Sequence, residues 1–189
     1  MISNQAVEFE GKERSPDERR VHLEQLLESN SLTQPAIGRT HRVGIDNLDD
    51  ILGQGLRSGQ VVEWFGSFSC GKTGLLRGLI GDLRKQGVAV AWIDSERALL
   101  AADWCEERPG PLWILRPPSP QDALFCTEAV LRTQSFGLVV MDSKMTLRRN
   151  THLRLQRLAR LGGAALVMLR GATPTSPGIW KAQKRIRVV

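Results

Sequence analysis

The sequence lacks any apolar run approaching the roughly 18 uninterrupted residues a membrane-spanning helix requires. Its opening stretch, MISNQAVEFEGKER, lacks the apolar core of a secretory signal. The expectation is therefore a chain that stays in the cytoplasm and makes no membrane contact. Three cysteines, Cys70, Cys105 and Cys126, are irregularly spaced and form no C-x-x-C pair, which argues against both a disulfide framework and a zinc site. They read as reduced thiols. Acidic residues are missing from Ser143 to Val189, where Lys and Arg supply eleven cations. Because the whole chain has 26 Lys+Arg against 20 Asp+Glu, for a net +6, the first 142 residues are acidic at −5. A uniformly basic segment creates a local positive field that suits nucleic-acid phosphates, and equally an acidic protein surface. The plain alternative is a solvated basic face without a partner.

What is present suffices for one sizeable core: 189 residues, 41% of them hydrophobic and 24% charged. Ser15-Pro16-Asp17-Glu18 reads as an N-cap, a first-turn proline and a capping-box glutamate. A helix over Ser15 to Ser29 follows, with one narrow apolar stripe of Val21, Leu23, Leu26 and Leu27, so it must dock on its own domain or on another subunit. Ser29 to Thr40 reads as a linker, which divides the chain into an N-terminal helix and linker (1–40) and a core (41–189) ending in the basic segment. A short amphipathic helix lies within GIDNLDDILGQGLRSGQ.

From Gln60 onward, short apolar runs alternate with helical stretches. The runs are 61–65, 88–94, 112–115, 136–142 and 164–169, with a last candidate at 185–189; the helical stretches are 72–86, 119–133 and 147–161. Strands apolar on both faces and separated by helices indicate an α/β fold with a mostly parallel sheet and helices on both faces.

Directly after the first of these runs stands Gly66-Ser67-Phe68-Ser69-Cys70-Gly71-Lys72-Thr73, which fits G-x-x-x-x-G-K-[ST] and leads into a helix. That is the context in which this pattern cradles nucleotide phosphates. Backbone N–H groups curl around phosphate oxygens, the helix N-terminus adds its dipole, Lys72 reaches the β/γ-phosphates, and Thr73 offers its hydroxyl to Mg²⁺. Cys70 reads as a spacer rather than a redox sensor. Asp142 ends a buried strand at the sheet edge where α/β ligands gather, a position from which a carboxylate serves Mg²⁺. Asp94 and Glu96 lie at the same edge, where Glu96 can orient a water for attack on the γ-phosphate. Acidic strand ends are also ordinary helix caps.

At these residues the chain resembles the RecA recombinase family, from about Val43 to Val189. The resemblance rests on GIDNLDDILGQGLRSGQVVEWFG leading into SFSCGKT, on AWIDSERAL, on PPSPQDALFCTEAVLR and on FGLVVMDS. It implies a RecA-like fold, ATP and Mg²⁺ as cofactors, and Lys72, Thr73, Glu96 and Asp142 as the residues of hydrolysis. The departures are equally specific. RecA recombinases carry two long DNA-holding loops and an Asn-Gln pair that senses the γ-phosphate. Here about 21 residues, nearly all one basic helix, follow Asp142, and the next strand ends in Leu169-Arg170-Gly171. The segment from Ala172 to Ile179 is too short for a full second loop. Where RecA has an aromatic side chain near the base, this chain offers Trp104, which stacks on a base or simply belongs to the core.

Among RecA-like families, size and order most resemble ImuA, the RecA-like accessory component of SOS translesion synthesis. That resemblance implies slow or absent ATP hydrolysis and protein partners, a RecA-type recombinase and an ImuB-like mutasome protein, with weak non-specific DNA binding at most. The basic residues Arg148, Arg149, Arg154, Arg157, Arg160, Lys181, Lys184 and Arg185 are the expected nucleic-acid or partner surface, Arg154, Arg157 and Arg160 forming a ridge. The alternative is a DNA-dependent ATPase of the RecA/RadA/KaiC type acting directly on single-stranded DNA.

Overall fold

A computed structural model describes residues 15–29, 39–44, 46–100, 104, 109–171 and 184–188. The elements are α1 (Pro16–Ser29), β1 (Thr40–His41), α2 (Asp46–Leu52), β2 (Leu56–Arg57), β3 (Val61–Phe65), α3 (Lys72–Lys85), β4 (Val90–Asp94), β5 (Leu112–Leu115), α4 (Pro120–Arg132), β6 (Leu138–Asp142), α5 (Arg149–Gly162), β7 (Ala165–Arg170) and β8 (Lys184–Arg187). Six strands form one sheet in the order β5-β4-β6-β7-β3-β8, and every neighbouring pair in it is parallel. All C-terminal strand ends therefore lie at one edge, which is where the expected site residues were placed in the sequence.

Alternate residues of these strands face opposite sides and build two cores. Val62, Trp64, Val90, Trp92, Val140 and Val167 pack with α2 and α3. Val61, Ala91, Ile93, Val139, Met141 and Leu166 pack with α1, α4 and α5. The near-continuous apolar runs follow from this, since both faces of each strand are covered.

The ends of the elements show local chemistry at work. At α1, Ser15 N–H donates to Glu18 Oε2 at 2.7 Å and Glu18 N–H donates to Ser15 Oγ at 3.3 Å, a reciprocal capping box. At α4, Asp122 N–H donates to the N-cap Ser119. Most boundaries move by one or two residues from the sequence expectation. β4 starts at Val90 because Gly87, at φ 78°, and Val88 still close the end of α3, the Val88 N–H donating to Leu83 O. β6 starts at Leu138, and α5 starts at Arg149 because Arg148 is extended. β1 and β2, two residues each and antiparallel, carry too little pattern to be foreseen.

The docking question for α1 is answered within the chain. Leu23 and Leu27 are buried in the core shared with α4 and α5. Arg19 pairs with Asp122 at 3.3 Å and Arg20 lies over the Phe125 ring at 5.0 Å. Val21, from the same expected stripe, is 53% exposed. The proposed linker falls largely outside the described residues, as do Ala172 to Ile179 and Lys181.

Candidate functional site

The loop between β3 and α3 has the backbone its residue types require. Ser69 (φ 63°) and Gly71 (φ 89°) adopt left-handed conformations that turn the chain back on itself, the geometry in which successive N–H groups form an anion-binding nest. No side chain caps α3 and no acid occupies its first turn, so its leading N–H groups and positive dipole end are left for an anion. Lys72 Nζ donates to Gly66 O at 2.7 Å and Ser67 O at 2.9 Å and touches Cys70 Sγ at 3.3 Å, which holds the ammonium over the loop. Thr73 is exposed, and Phe68 is 94% exposed at the loop's tip.

Glycine at position 66 has a tertiary reason as well. A Cβ there would lie 2.3 Å from Val188 O and 2.6 Å from Cys70 Sγ. The Val188 N–H donates to Phe65 O at 2.8 Å, so the chain just beyond β8 runs against the start of the loop.

Three carboxylates gather at the ends of β4 and β6, and the structure gives them different work. Asp94, fully buried, accepts from Ala98 N–H at 2.9 Å, Leu99 N–H at 3.3 Å and Arg116 Nε at 3.3 Å. It is thereby committed to shaping the turn after β4. Asp142 sits opposite Asp94 in the register. Burial pushes its carboxyl up to about 6, helped by the charges of Asp94 and Glu96 and opposed by the ammoniums of Lys72 and Lys144. Lys72 and Asp142 thus share one electrostatic environment although β7 stands between their strands.

Glu96 is held by a residue the sequence reading did not single out. Lys144 Nζ lies 2.5 Å from Glu96 Oε2, and the Lys144 N–H donates to Oε1 at 3.3 Å. The Asp142 carbonyl accepts from Ser95 N–H at 3.2 Å and Ser95 Oγ at 2.6 Å, which ties the turn after β4 to the end of β6.

These residues fit a Mg²⁺-bound nucleotide. No cluster of three or more His, Cys, Asp or Glu suited to a metal ion occurs among the described residues. The site is instead a hydroxyl, a partly buried carboxylate and an uncapped helix end, and Mg²⁺ is ordinarily held by one or two carboxylates together with phosphate oxygens. Trp104 belongs to the core: it is 8% exposed and packs on Trp92 at 5.4 Å between centroids, with Arg77 over its ring.

The basic segment divides rather than forming one surface. Arg154, expected on a ridge with Arg157 and Arg160, is ion-paired to Glu128 of α4 at 2.5 Å. Arg185 is paired to Glu63 at 2.7 Å. Arg154 and Arg185 are exposed despite these pairings, as are Arg148, Arg149, Arg157 and Arg160; Lys181 lies outside the described residues, and Lys184 opens β8. The expected free thiols hold for Cys70 and Cys126, the latter pushed up to about 12 by burial. Cys105 falls outside the described residues.

Comparison with known proteins bears on the family and the fold. The RecA N-terminal domain family model matches residues 30–170. The chain is 30% identical over 151 residues to Protein RecA of Borreliella afzelii, covering 75% of this chain and 41% of that protein. It is 31% identical over 149 residues to Protein RecA of Treponema pallidum, covering 74% and 36%. It is 39% identical over 103 residues to Protein RecA of Bordetella avium, covering 53% and 29%. The chain thus spans about two fifths or less of these relatives' length. Among solved structures, the RadB recombinase aligns with a TM-score of 0.53 at 20% identity, over 69% of this chain and 70% of that one, a likeness of fold.

Proposed function

Because this chain belongs to the RecA N-terminal domain family, we propose that it is a Mg·ATP-binding protein of the DNA-damage response with slow or no hydrolysis, acting through protein contacts in the cytoplasm. The observation that carries the reading is an intact phosphate loop beside a site whose follow-on parts are built differently. The loop offers Lys72, Thr73 and an uncapped helix end. Glu96, the residue suited to orienting a water, is bound on both oxygens by Lys144. The connection from β6 to β7, where a recombinase would need a DNA loop, consists of a pinned turn and α5.

In this reading Lys72 and the N–H groups of the loop bind the β- and γ-phosphates, while Thr73 and Asp142 hold the metal ion. Mg²⁺, when bound, neutralises phosphate charge. Glu96 has little freedom to polarise a water while it faces an ammonium, so turnover is slow. The resemblance to ImuA supports an accessory role in SOS translesion synthesis, with a RecA-type recombinase and an ImuB-like mutasome protein as partners. A direct single-stranded-DNA ATPase is the competing outcome.

Calorimetry with Mg·ATP and turnover with and without single-stranded DNA test the proposal. Binding lost in Lys72→Ala with an unchanged melting curve is expected. A wild-type kcat on DNA of ~0.1 s⁻¹ or more, approaching the range common among enzymes, would give the reading over to the direct ATPase.

A further inference from the structure

Glu63 is an acid in the middle of a sheet strand whose neighbours are buried. It lies on β3, on the side occupied by Val61 and α5, and its two oxygens are shared between two guanidinium groups. Oε1 faces Arg170 Nε at 3.3 Å and Oε2 faces Arg185 Nε at 2.7 Å. The pairing follows from the sheet order: β7 and β8 flank β3, and Arg185 is the direct register partner of Glu63. His152 of α5 lies within the field of all three groups, and burial holds it below its ordinary value, which keeps it neutral near pH 7.

Arg170 extends the arrangement to the metal-ion side of the site. Its Nη1 donates to Ser143 O at 2.9 Å and also to Met145 O. These carbonyls flank Lys144, which holds Glu96, and follow directly on Asp142. Arg170 is only 12% exposed, so its position is set by Glu63 and the two carbonyls together. A buried guanidinium deprived of its carboxylate is strongly unfavourable, and Arg170 would shift, taking the segment after Asp142 with it.

The same strand reaches the phosphate loop by a second route. Beyond β8, the Val188 N–H donates to Phe65 O and the Val188 carbonyl closes over Gly66. β8 therefore touches both halves of the site: the loop through its backbone, and the Asp142 segment through Arg185, Glu63 and Arg170 in turn.

We infer that Arg170, Glu63 and Arg185 are positioning residues of the nucleotide site, and that docking of β8 and filling of the site are one coupled equilibrium. This rests on the nucleotide-binding reading given above. Coupling of this kind is reciprocal: whatever grips or displaces β8 changes nucleotide affinity by the factor with which nucleotide changes the docking of β8. The basic C-terminal strand is thus the place where a bound partner would report on, or release, the nucleotide.

The test uses the full chain with Arg185→Ala, Arg185→Lys and, as a second disruption that keeps the side-chain volume, Glu63→Gln. Amide hydrogen exchange and calorimetric Mg·ADP affinity are measured. Without nucleotide, Arg185→Ala should speed exchange of residues 143–147, although position 185 is remote from them in sequence. Mg·ADP should slow exchange of the Val188 amide in the wild type. The dissociation constant should rise about 5- to 20-fold in Arg185→Ala and Glu63→Gln, with Arg185→Lys recovering part of it. If the wild type binds and both disruptive variants bind equally well, or if exchange at 143–147 does not change, the inference is wrong and the nucleotide-binding reading stands. A folded wild type that binds no Mg·nucleotide sinks both.

Discussion

Residues 61–94 and the described residues of 143–171 and 184–188 contribute the two halves of the site, and they are built on different principles. In the first, local chemistry dominates: a strand, a loop with left-handed Ser69 and Gly71, and a helix left uncapped. In the second, position is set by charged side chains pairing across the fold, Arg154 with Glu128, Arg170 and Arg185 with Glu63, Lys144 with Glu96. A segment that is uniformly cationic in sequence is therefore not a uniformly cationic surface. Several of its charges are neutralised by acids from the first 142 residues, and Arg148, Arg157, Arg160 and Arg187 are what remains exposed without an acidic partner among the described residues. Net charge along a chain predicts a field, whereas the fold decides how much of it faces outward.

Removing the acids from the second kind of construction should separate buried from exposed pairing. Glu63→Ala leaves Arg170 buried without its carboxylate and should cost about 2–4 kcal/mol. Glu128→Ala releases Arg132 and Arg154, both about half exposed, and should cost about 1 kcal/mol or less. Urea titration of both variants decides the point, and equal losses would erase the distinction.

Asp142 stands where the two halves meet. Its carboxyl, raised from 3.8 to about 6 in the folded chain, gives stability that is complete below the unfolded value and is lost as pH rises through about 6. Asp142→Asn should therefore stabilise the nucleotide-free protein by about 1–2 kcal/mol at pH 8 and by almost nothing below pH 4. Thermal unfolding across pH shows this, and a gain that did not depend on pH would mean that packing, not charge, changed.

The first half also contains residues under no internal constraint. Gly78 and Gly81 lie within α3 with nothing within 4 Å of an added Cβ, in contrast to Gly66. Alanine at either should stabilise by about 0.5–1 kcal/mol through helix propensity alone, read as a rise of about 2–4 °C in Tm per kcal/mol. A fall at either site would reveal a contact across that helix face.

The smallest effect concerns what remains of the basic surface. If DNA binds α5, Arg157→Ala with Arg160→Ala should reduce the slope of log affinity against log salt by about 1.5–2, and Arg154→Ala should leave it nearly unchanged. Fluorescence anisotropy with a single-stranded oligonucleotide between 50 and 200 mM salt, the interval over which phosphate contacts weaken markedly, compares them. An Arg154 effect as large as that of the pair would mean that its link to Glu128 opens on binding.

Much of this molecule was legible in its residues because the signals are local. The capping box at Ser15 and Glu18 was readable, as were the doubly apolar strands, the glycine-lysine-threonine loop after Phe65 and the acid ending β6, each lying within a few residues of its own evidence. The exact extent of strands was less readable, since capping of the preceding helix takes residues such as Val88. Two charged residues in buried strands also carry a signal. Glu63 interrupts VVEWF and Arg170 ends ALVMLR, and a charged residue in a strand covered on both sides implies a buried partner.

The sequence by itself determined the alternation of strands and helices, the phosphate-binding turn and the polarity of the sheet edge, because period, glycine placement and capping act over a turn or a strand. Only the tertiary structure decided that α1 packs on α4, that Lys144 occupies Glu96, that Arg154 is not part of a free ridge, and that β8 lies against the loop. Arg170 and Glu63 are 107 residues apart, and which acid meets which arginine depends on strand order. Charge attraction is too indifferent to sequence separation, and too common among these residues, for any local pattern to record the pairing.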